Sequence, residues 1–299
     1  MPPRYPAKTA VGCGEHRITY AQFADRAARL AGALRAMGVH PGDRVAFLGG
    51  NCHRLLEAYY GVLEAGAVLL PLNIRLAGPE LAYILNDSEA RILFFESRFS
   101  PLVESFRKDL RSVRSSFLLD EKEPPVWASP ETYEELLATA AAYHADVMQF
   151  DENALGELFY TSGTSANPKG VMLTHRNIYL HALSAALNFG TSSEEVELHT
   201  IPLFHANGWG VAHSLTFVGG THVMIQKFDP TGVFRLIERE KVRNCCLVPT
   251  MATALVNCPD RPKFDLSSLK RITIGGACGS PKCHPPRVVS ILFSPKREL

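Results

Sequence analysis

The chain has 299 residues, 46% hydrophobic and 20% charged, with 31 Lys plus Arg against 30 Asp plus Glu and a formal charge of +1. That size allows a large buried core, and the balanced charge excludes bulk attraction to nucleic acid or an anionic membrane. No apolar leader opens the chain, and its most apolar run, YYGVLEAGAVLLPL, is interrupted by Glu64, so a transmembrane span is excluded and a cytoplasmic protein expected.

The seven cysteines, Cys13, Cys52, Cys245, Cys246, Cys258, Cys278 and Cys283, are odd in number and lack the spacing of a disulfide scaffold. They suit a reducing compartment and are expected to be mostly small buried side chains. Cys278, Cys283 and His284 cluster in CGSPKCH, but without paired CxxC spacing or a fourth ligand they make a poor zinc site.

From about residue 40 the chain alternates short apolar runs with helix-like stretches. RVAFLGG (44–50), AVLLPL (67–72) and RILFFE (91–96) predict strands, with helices over 54–66 and 79–88 between them, the latter with Pro79 in its first turn. The pattern predicts α/β layers with a largely parallel sheet covered by helices. The charged, proline-rich segment 121–131 predicts a surface connection before a helix at 132–144. Residues 174–190 predict a helix capped by Thr174 and ended by Gly190, followed by a strand over 195–204. The alternation continues through 221–228, 230–240 and 244–250, and ITIGGA (272–277) predicts a strand running into a glycine turn.

Between the apolar run near 155 and the helix at 174 lies YTSGTSANPKG (160–170). Thr161, Ser162, Thr164 and Ser165 supply hydroxyls, Gly163 and Gly170 allow close backbone approach, and Lys169 adds positive charge. Such a loop suits a polyphosphate, although its composition alone favours a solvated turn. It is not a Walker loop, which needs GKS or GKT, and Ser162 sits in TSGT rather than in a GxSxG nucleophile turn.

The ordered string resembles the phosphate-binding signature of the adenylate-forming superfamily, approximately aromatic-TSGTTGxPKG, with Ser165 in place of threonine and Ala166 in place of glycine. Ser165 keeps a hydroxyl, whereas Ala166 adds a Cβ where a left-handed backbone would be strained. Resemblance extends through 18–47, 61–73, IPLFHANGWG (201–210) and LKRITIGGA (269–277), and thus over most of residues 8–280.

The resemblance implies the amino-terminal domain of an acyl-CoA synthetase, with ATP, Mg²⁺ and coenzyme A as reactants or cofactor and a medium- or long-chain fatty acid as substrate. It assigns the phosphates to Thr161, Ser162, Gly163, Thr164, Ser165, Lys169 and Gly170, with Thr161 near the metal. It places His205 at the acyl and phosphate region, Trp209 at the acyl tunnel, and Gly275, Gly276 and Ala277 at the adenine and acyl wall; Thr161, Lys169 and His205 are the expected reaction-centre residues. By residue type alone, His205 and Trp209 read first as packed structural side chains.

The expected Y-G-x-T-E string, hinge and small carboxy-terminal domain do not follow; residues 281–299 form a divergent tail rich in proline, which reads as a truncation or frameshift. Uncovered sheet edges and exposed apolar surface are then expected, together with doubtful turnover by this chain. The alternative reading is a non-catalytic nucleotide-binding or interaction protein that retains the phosphate loop.

Overall fold

The computed structural model describes residues 4–146, 149–161, 167–276 and 289–292. The chain opens with a hairpin, β1 (Thr9–Cys13) and β2 (His16–Thr19), followed by α1 (Tyr20–Ala36), β3 (Arg44–Leu48), α2 (His53–Glu64), β4 (Val68–Pro71), α3 (Gly78–Asp87) and β5 (Ala90–Phe95). Next come α4 (Ser100–Phe106), β6 (Ser115–Leu118), α5 (Tyr133–Thr139), β7 (Leu155–Thr161), β8 (Lys169–Thr174), α6 (His175–Phe189) and β9 (Val196–His199). The remainder is α7 (Val211–Val218), β10 (Thr221–Met224), α8 (Pro230–Glu240), β11 (Asn244–Leu247), α9 (Pro249–Val256), β12 (Arg271–Ile274) and β13 (Val289–Leu292).

Two sheets result, in the orders β6-β5-β3-β4-β7-β8 and β13-β12-β11-β9-β10-β1-β2. Both are mainly parallel; the antiparallel pairs are β7–β8, β1–β2 and β12–β13. In the first sheet the inner strands β3 and β4 are near-continuous apolar runs rather than alternating: β4 is buried at every position and β3 at all but Arg44. This is what a parallel strand covered on both faces requires.

One core cluster joins side chains of both sheets, Val45 and Phe94 from the first and Val11 and Met224 from the second, through α1 and α2. A second lies under α3 and α4, and a third between the other sheet and α8. The layers therefore run helix, sheet, helix, sheet, helix.

Local signals explain the helices that flank the site. Thr174 accepts from the Asn177 backbone N–H while Asn177 Oδ1 accepts from the Thr174 N–H, and Gly190 ends α6 in a left-handed turn at φ 57°. The same box, Thr19 with Gln22, starts α1. An ion-pair network ties α1, α2 and α5 together: Arg26 forks onto Glu57 (2.7 and 3.1 Å) and onto Glu134 (2.9 and 3.0 Å), and Arg54 Nε reaches Glu134 at 2.7 Å. Glu57 is fully buried and also accepts from the Tyr133 hydroxyl at 2.8 Å, so no oxygen of this carboxylate is left bare.

Three observations differ from the sequence reading. The glycine-rich segment leads into a strand, β8, before the helix, so the loop joins the arms of an antiparallel hairpin in which Thr161 faces Lys169. The predicted strand 195–204 stops at His199, and the following residues turn toward the site. The outer edge of β12 is paired by β13, from within the tail expected to be divergent, whereas exposed apolar side chains, Val171 and Met172, lie on the edge strand β8.

Candidate active site

Between the two sheets lies a cavity of about 800 Å³. Its walls come from β7 and β8 (Tyr160, Thr161, Val171), α6 (Ile178, His181, Phe189), the segment 204–215 and the strands β9, β11 and β12. Three of the expected site residues, Thr161, His205 and Trp209, line this one space although 44 to 48 positions separate the first from the others. Lys169, exposed at the first position of β8, sits opposite Thr161 in the hairpin register. Gly170 follows it, and a Cβ there would stand 3.0 Å from the Leu158 side chain. Ser162, Gly163, Thr164, Ser165 and Ala277 lie outside the described residues.

The histidine and tryptophan are carried by a short 3₁₀ turn, Ala206–Gly210. Gly208, Trp209 and Gly210 have φ values of 51°, 60° and 71°, so three consecutive residues are left-handed. For the two glycines this is free of Cβ conflict; for Trp209 it costs about 1–2 kcal/mol. Surrounding contacts hold it there. The His181 ring fills the space beside Gly210, where a Cβ would come within 2.1 Å, and the indole lies over Gly275, where a Cβ would be 2.7 Å from Cη2. Gly276 then turns at φ 113°, which side chains rarely adopt. The glycine turn thus serves first to admit the tryptophan ring.

A buried asparagine, which the sequence reading missed, anchors the segment leading to His205. Asn51 donates to the carbonyls of His199 (2.8 Å) and Ile201 (3.0 Å) and accepts from the Leu203 N–H (2.8 Å). Tyr59 donates to the Leu203 carbonyl at 2.6 Å and Tyr60 to that of Ala212 at 3.1 Å. The loop before α2 and its first two turns therefore set where His205 and Trp209 stand. Each bond satisfies a backbone group that burial would otherwise strand.

Two further polar positions mark the cavity wall. His213 bonds the fully buried Glu157 of β7 at 2.6 Å and packs edge-on against Tyr59 and Tyr60. Farther along, Glu197 of β9 lies beside Cys246 and Arg271. Burial pushes the Glu197 carboxyl up to about 7, against a hydrogen bond with Cys246 and the charge of Arg271. Most of the remaining lining is aliphatic or aromatic, as for sites that take a largely apolar ligand and orient it with few polar groups.

This architecture, two mainly parallel sheets with a cleft between them beside the β7–β8 hairpin, is that of the amino-terminal domain of adenylate-forming enzymes. The family described as AMP-binding enzyme matches residues 2–284, and the chain belongs to it. It is 41% identical over 265 residues to a long-chain-fatty-acid–CoA ligase of Thermus thermophilus, covering 88% of this chain and 48% of the relative. A 3-methylmercaptopropionyl-CoA ligase of Ruegeria pomeroyi is 37% identical, with 90% and 51% covered. The chain spans about half the length of these curated relatives. Among solved structures, the inhibitor-bound N-terminal domain of FACL13 from Mycobacterium tuberculosis superposes with a TM-score of 0.83 at 29% identity, covering 91% of this chain and 67% of that one. An anthranilate CoA ligase, AuaEII, in complex with anthranoyl-AMP also gives 0.83, at 26% identity and with 90% and 52% covered.

Among the described residues no helix is long and apolar enough to cross a membrane, and no group of three His, Cys, Asp or Glu side chains is arranged to hold a metal. Thr161 offers a single hydroxyl. That fits a magnesium ion only if phosphate oxygens supply most of its ligands.

Proposed function

We propose that this chain forms the part of a carboxylic acid–CoA ligase that binds ATP and an aliphatic acid and joins them as an acyl-adenylate. A carboxylate oxygen attacks the α-phosphorus, and the bond to pyrophosphate breaks. In the whole enzyme the coenzyme A thiol then attacks the acyl carbon and AMP leaves. The single observation that carries this reading is the convergence of Thr161, His205 and Trp209 on one cavity, with Lys169 facing Thr161 across the hairpin.

In this reading the hairpin loop, including Ser162, Gly163, Thr164 and Ser165, wraps the β- and γ-phosphates. Lys169 offsets their charge, and Thr161 would lend its hydroxyl to a magnesium ion carried with the nucleotide, which would neutralise further phosphate charge. His205 orients the reacting carboxylate and the α-phosphate. Trp209 walls the acyl chain from water, while Gly275, Gly276 and Ala277 form the surface against which adenine and the acyl chain lie. The apolar lining supports a medium- or long-chain fatty acid.

The test is carboxylate-dependent exchange of pyrophosphate into ATP over a panel of acids, with Lys169→Ala as control. Exchange that peaks with aliphatic acids and falls with Lys169→Ala is expected. Saturable ATP binding without exchange for any acid would instead favour a nucleotide-binding protein that does not turn over.

A further inference from the structure

One wall of the cavity is the second sheet, and the face it presents there is polar. The register sets Glu197 of β9 level with His222 of β10 and Asn244 of β11, and Asn244 level with Arg271 of β12, so these side chains share a face with His199 and Thr273 two residues farther on. The opposite face, with Leu198, Val223, Cys245 and Ile272, is apolar and packs with α8. A parallel sheet covered on both sides does not require this alternation. Part of the polar face is satisfied internally: His199 Nε2 meets His222 Nδ1 at 2.8 Å, His222 Nε2 meets the Thr216 hydroxyl at 2.9 Å, and Asn244 donates to Glu195. Glu197 and Arg271 instead line the cavity. Glu197 is 6% exposed, and its hydrogen bond is with the Cys246 thiol, a weak donor. Arg271 donates from Nη1 to the Phe189 carbonyl at the end of α6 and lies over the Phe189 ring at 5.6 Å.

Two rulers place this pair away from the tryptophan. Along β12, Arg271 stands four residues before Gly275, on which the Trp209 indole lies, a span of about 13 Å of extended chain. Along α6, the Phe189 carbonyl that accepts from Arg271 is eight residues beyond His181, whose ring packs beside Gly210, a span of about 12 Å of helix. The two spans agree. Glu197, level with Arg271 in the register, shares this far end.

We propose that Glu197 and Arg271 form a distal specificity subsite, resting on the acyl-adenylate reading above, that selects a medium-length aliphatic acid with an uncharged hydroxyl at its far end. The hydroxyl donates to the Glu197 carboxylate and accepts from the Arg271 guanidinium. A methyl end would leave both polar side chains facing hydrocarbon. A second carboxylate would gain Arg271 but meet the like charge of Glu197 in a buried setting.

The test is calorimetric titration of the full 299-residue chain with three non-hydrolysable sulfamoyl adenosines, the decanoyl, 10-hydroxydecanoyl and 9-carboxynonanoyl forms. It is run at pH 8, above the value of about 7 to which burial raises Glu197, so that the carboxylate is charged. The hydroxylated mimic is expected to bind at least ten-fold tighter than the decanoyl form, because a site built to bond a hydroxyl rejects the analogue that lacks it, and the carboxylated form is expected to bind weakest. Glu197→Leu should abolish the preference for the hydroxyl while the decanoyl form binds as well as before or better, a result that damage to the fold would not give. Should Glu197→Leu fail to fold, the wild-type ranking and a loss of preference in Arg271→Leu decide. Equal binding of the first two mimics, tightest binding of the carboxylated one, or a Glu197→Leu chain that binds both less well by the same factor overturns the subsite and leaves the acyl-adenylate reading standing. A folded chain that binds none of the three overturns both.

Discussion

The indole of Trp209 lies so tightly over Gly275 that a methyl group on that α-carbon would sit 2.7 Å from Cη2. Since Trp209 is already held left-handed, at φ 60°, the ring cannot retreat without moving Gly208 and Gly210 as well. Gly275→Ala is therefore expected to displace the indole and to destabilise the fold by about 1–3 kcal/mol, the usual cost of overpacking. Urea unfolding together with tryptophan fluorescence checks both effects; unchanged stability and emission would show that the contact is loose.

Asn51 makes three hydrogen bonds to the backbone of 199–203 from a position that is 4% exposed. Asn51→Leu keeps the volume but strands two carbonyls and one N–H, a loss of about 1–3 kcal/mol for each buried group that water cannot reach. Acyl-adenylate formation should fall with it, because the segment that carries His205 loses its anchor. Asn51→Asp should restore only the bond from Leu203. Amide exchange at Leu203 measures this directly, and protection equal to wild type in Asn51→Leu would rule out the anchoring role.

Stability should depend on pH through two buried sets with opposite signs. Glu197 is raised to about 7 by burial, so its contribution is complete below the ordinary carboxylate range and is lost as pH rises through 7. His199, lowered to about 4 by burial, and His222, lowered well below its ordinary value by burial and by the charges of His199 and His213, act in reverse: their contribution is complete above about 6.5 and is lost as pH falls. Glu197→Gln removes the first effect. Its stability gain over wild type should grow from pH 5 to pH 8, by on the order of 1–3 kcal/mol. A gain that stays constant across that range would show that Glu197 does not titrate as assigned.

The edge strand β8 exposes Val171 and Met172, the latter at 69%, beside α6 with Tyr179 and Leu187 also outward. An apolar sheet edge invites pairing with another chain. Met172→Lys should reduce self-association in light scattering while leaving the melting temperature within a few degrees, as surface changes usually cost within about 0.5 kcal/mol. Association unchanged by the substitution would place the sticky surface elsewhere.

Much of the fold was legible where the signal is local. The apolar runs of β3, β4 and β5, the Thr174 cap and Gly190 each announce their element within a few residues. The amino-terminal hairpin and α1 were less so, because Thr9–Cys13 is short and α1 is rich in alanine and arginine, which blur a hydrophobic period. β8 escaped because Lys-Gly opens it and four of its six residues are exposed. Within the site, the ordered motif strings marked Thr161, Lys169, His205 and Trp209. Asn51, Glu157 with His213, and Glu197 gave no such sign: each is a single polar residue whose partners lie tens to about 150 positions away in sequence.

The central claim, that the cleft between the sheets holds an acyl-adenylate, is tested most directly by titrating the full 299-residue chain with a non-hydrolysable mimic, an alkanoyl-sulfamoyl adenosine, under calorimetry. Saturable one-to-one binding is predicted, weakened at least ten-fold by Trp209→Ala and by Gly275→Ala. A folded wild-type chain that shows no saturable binding, or binding that neither substitution alters, would contradict the account.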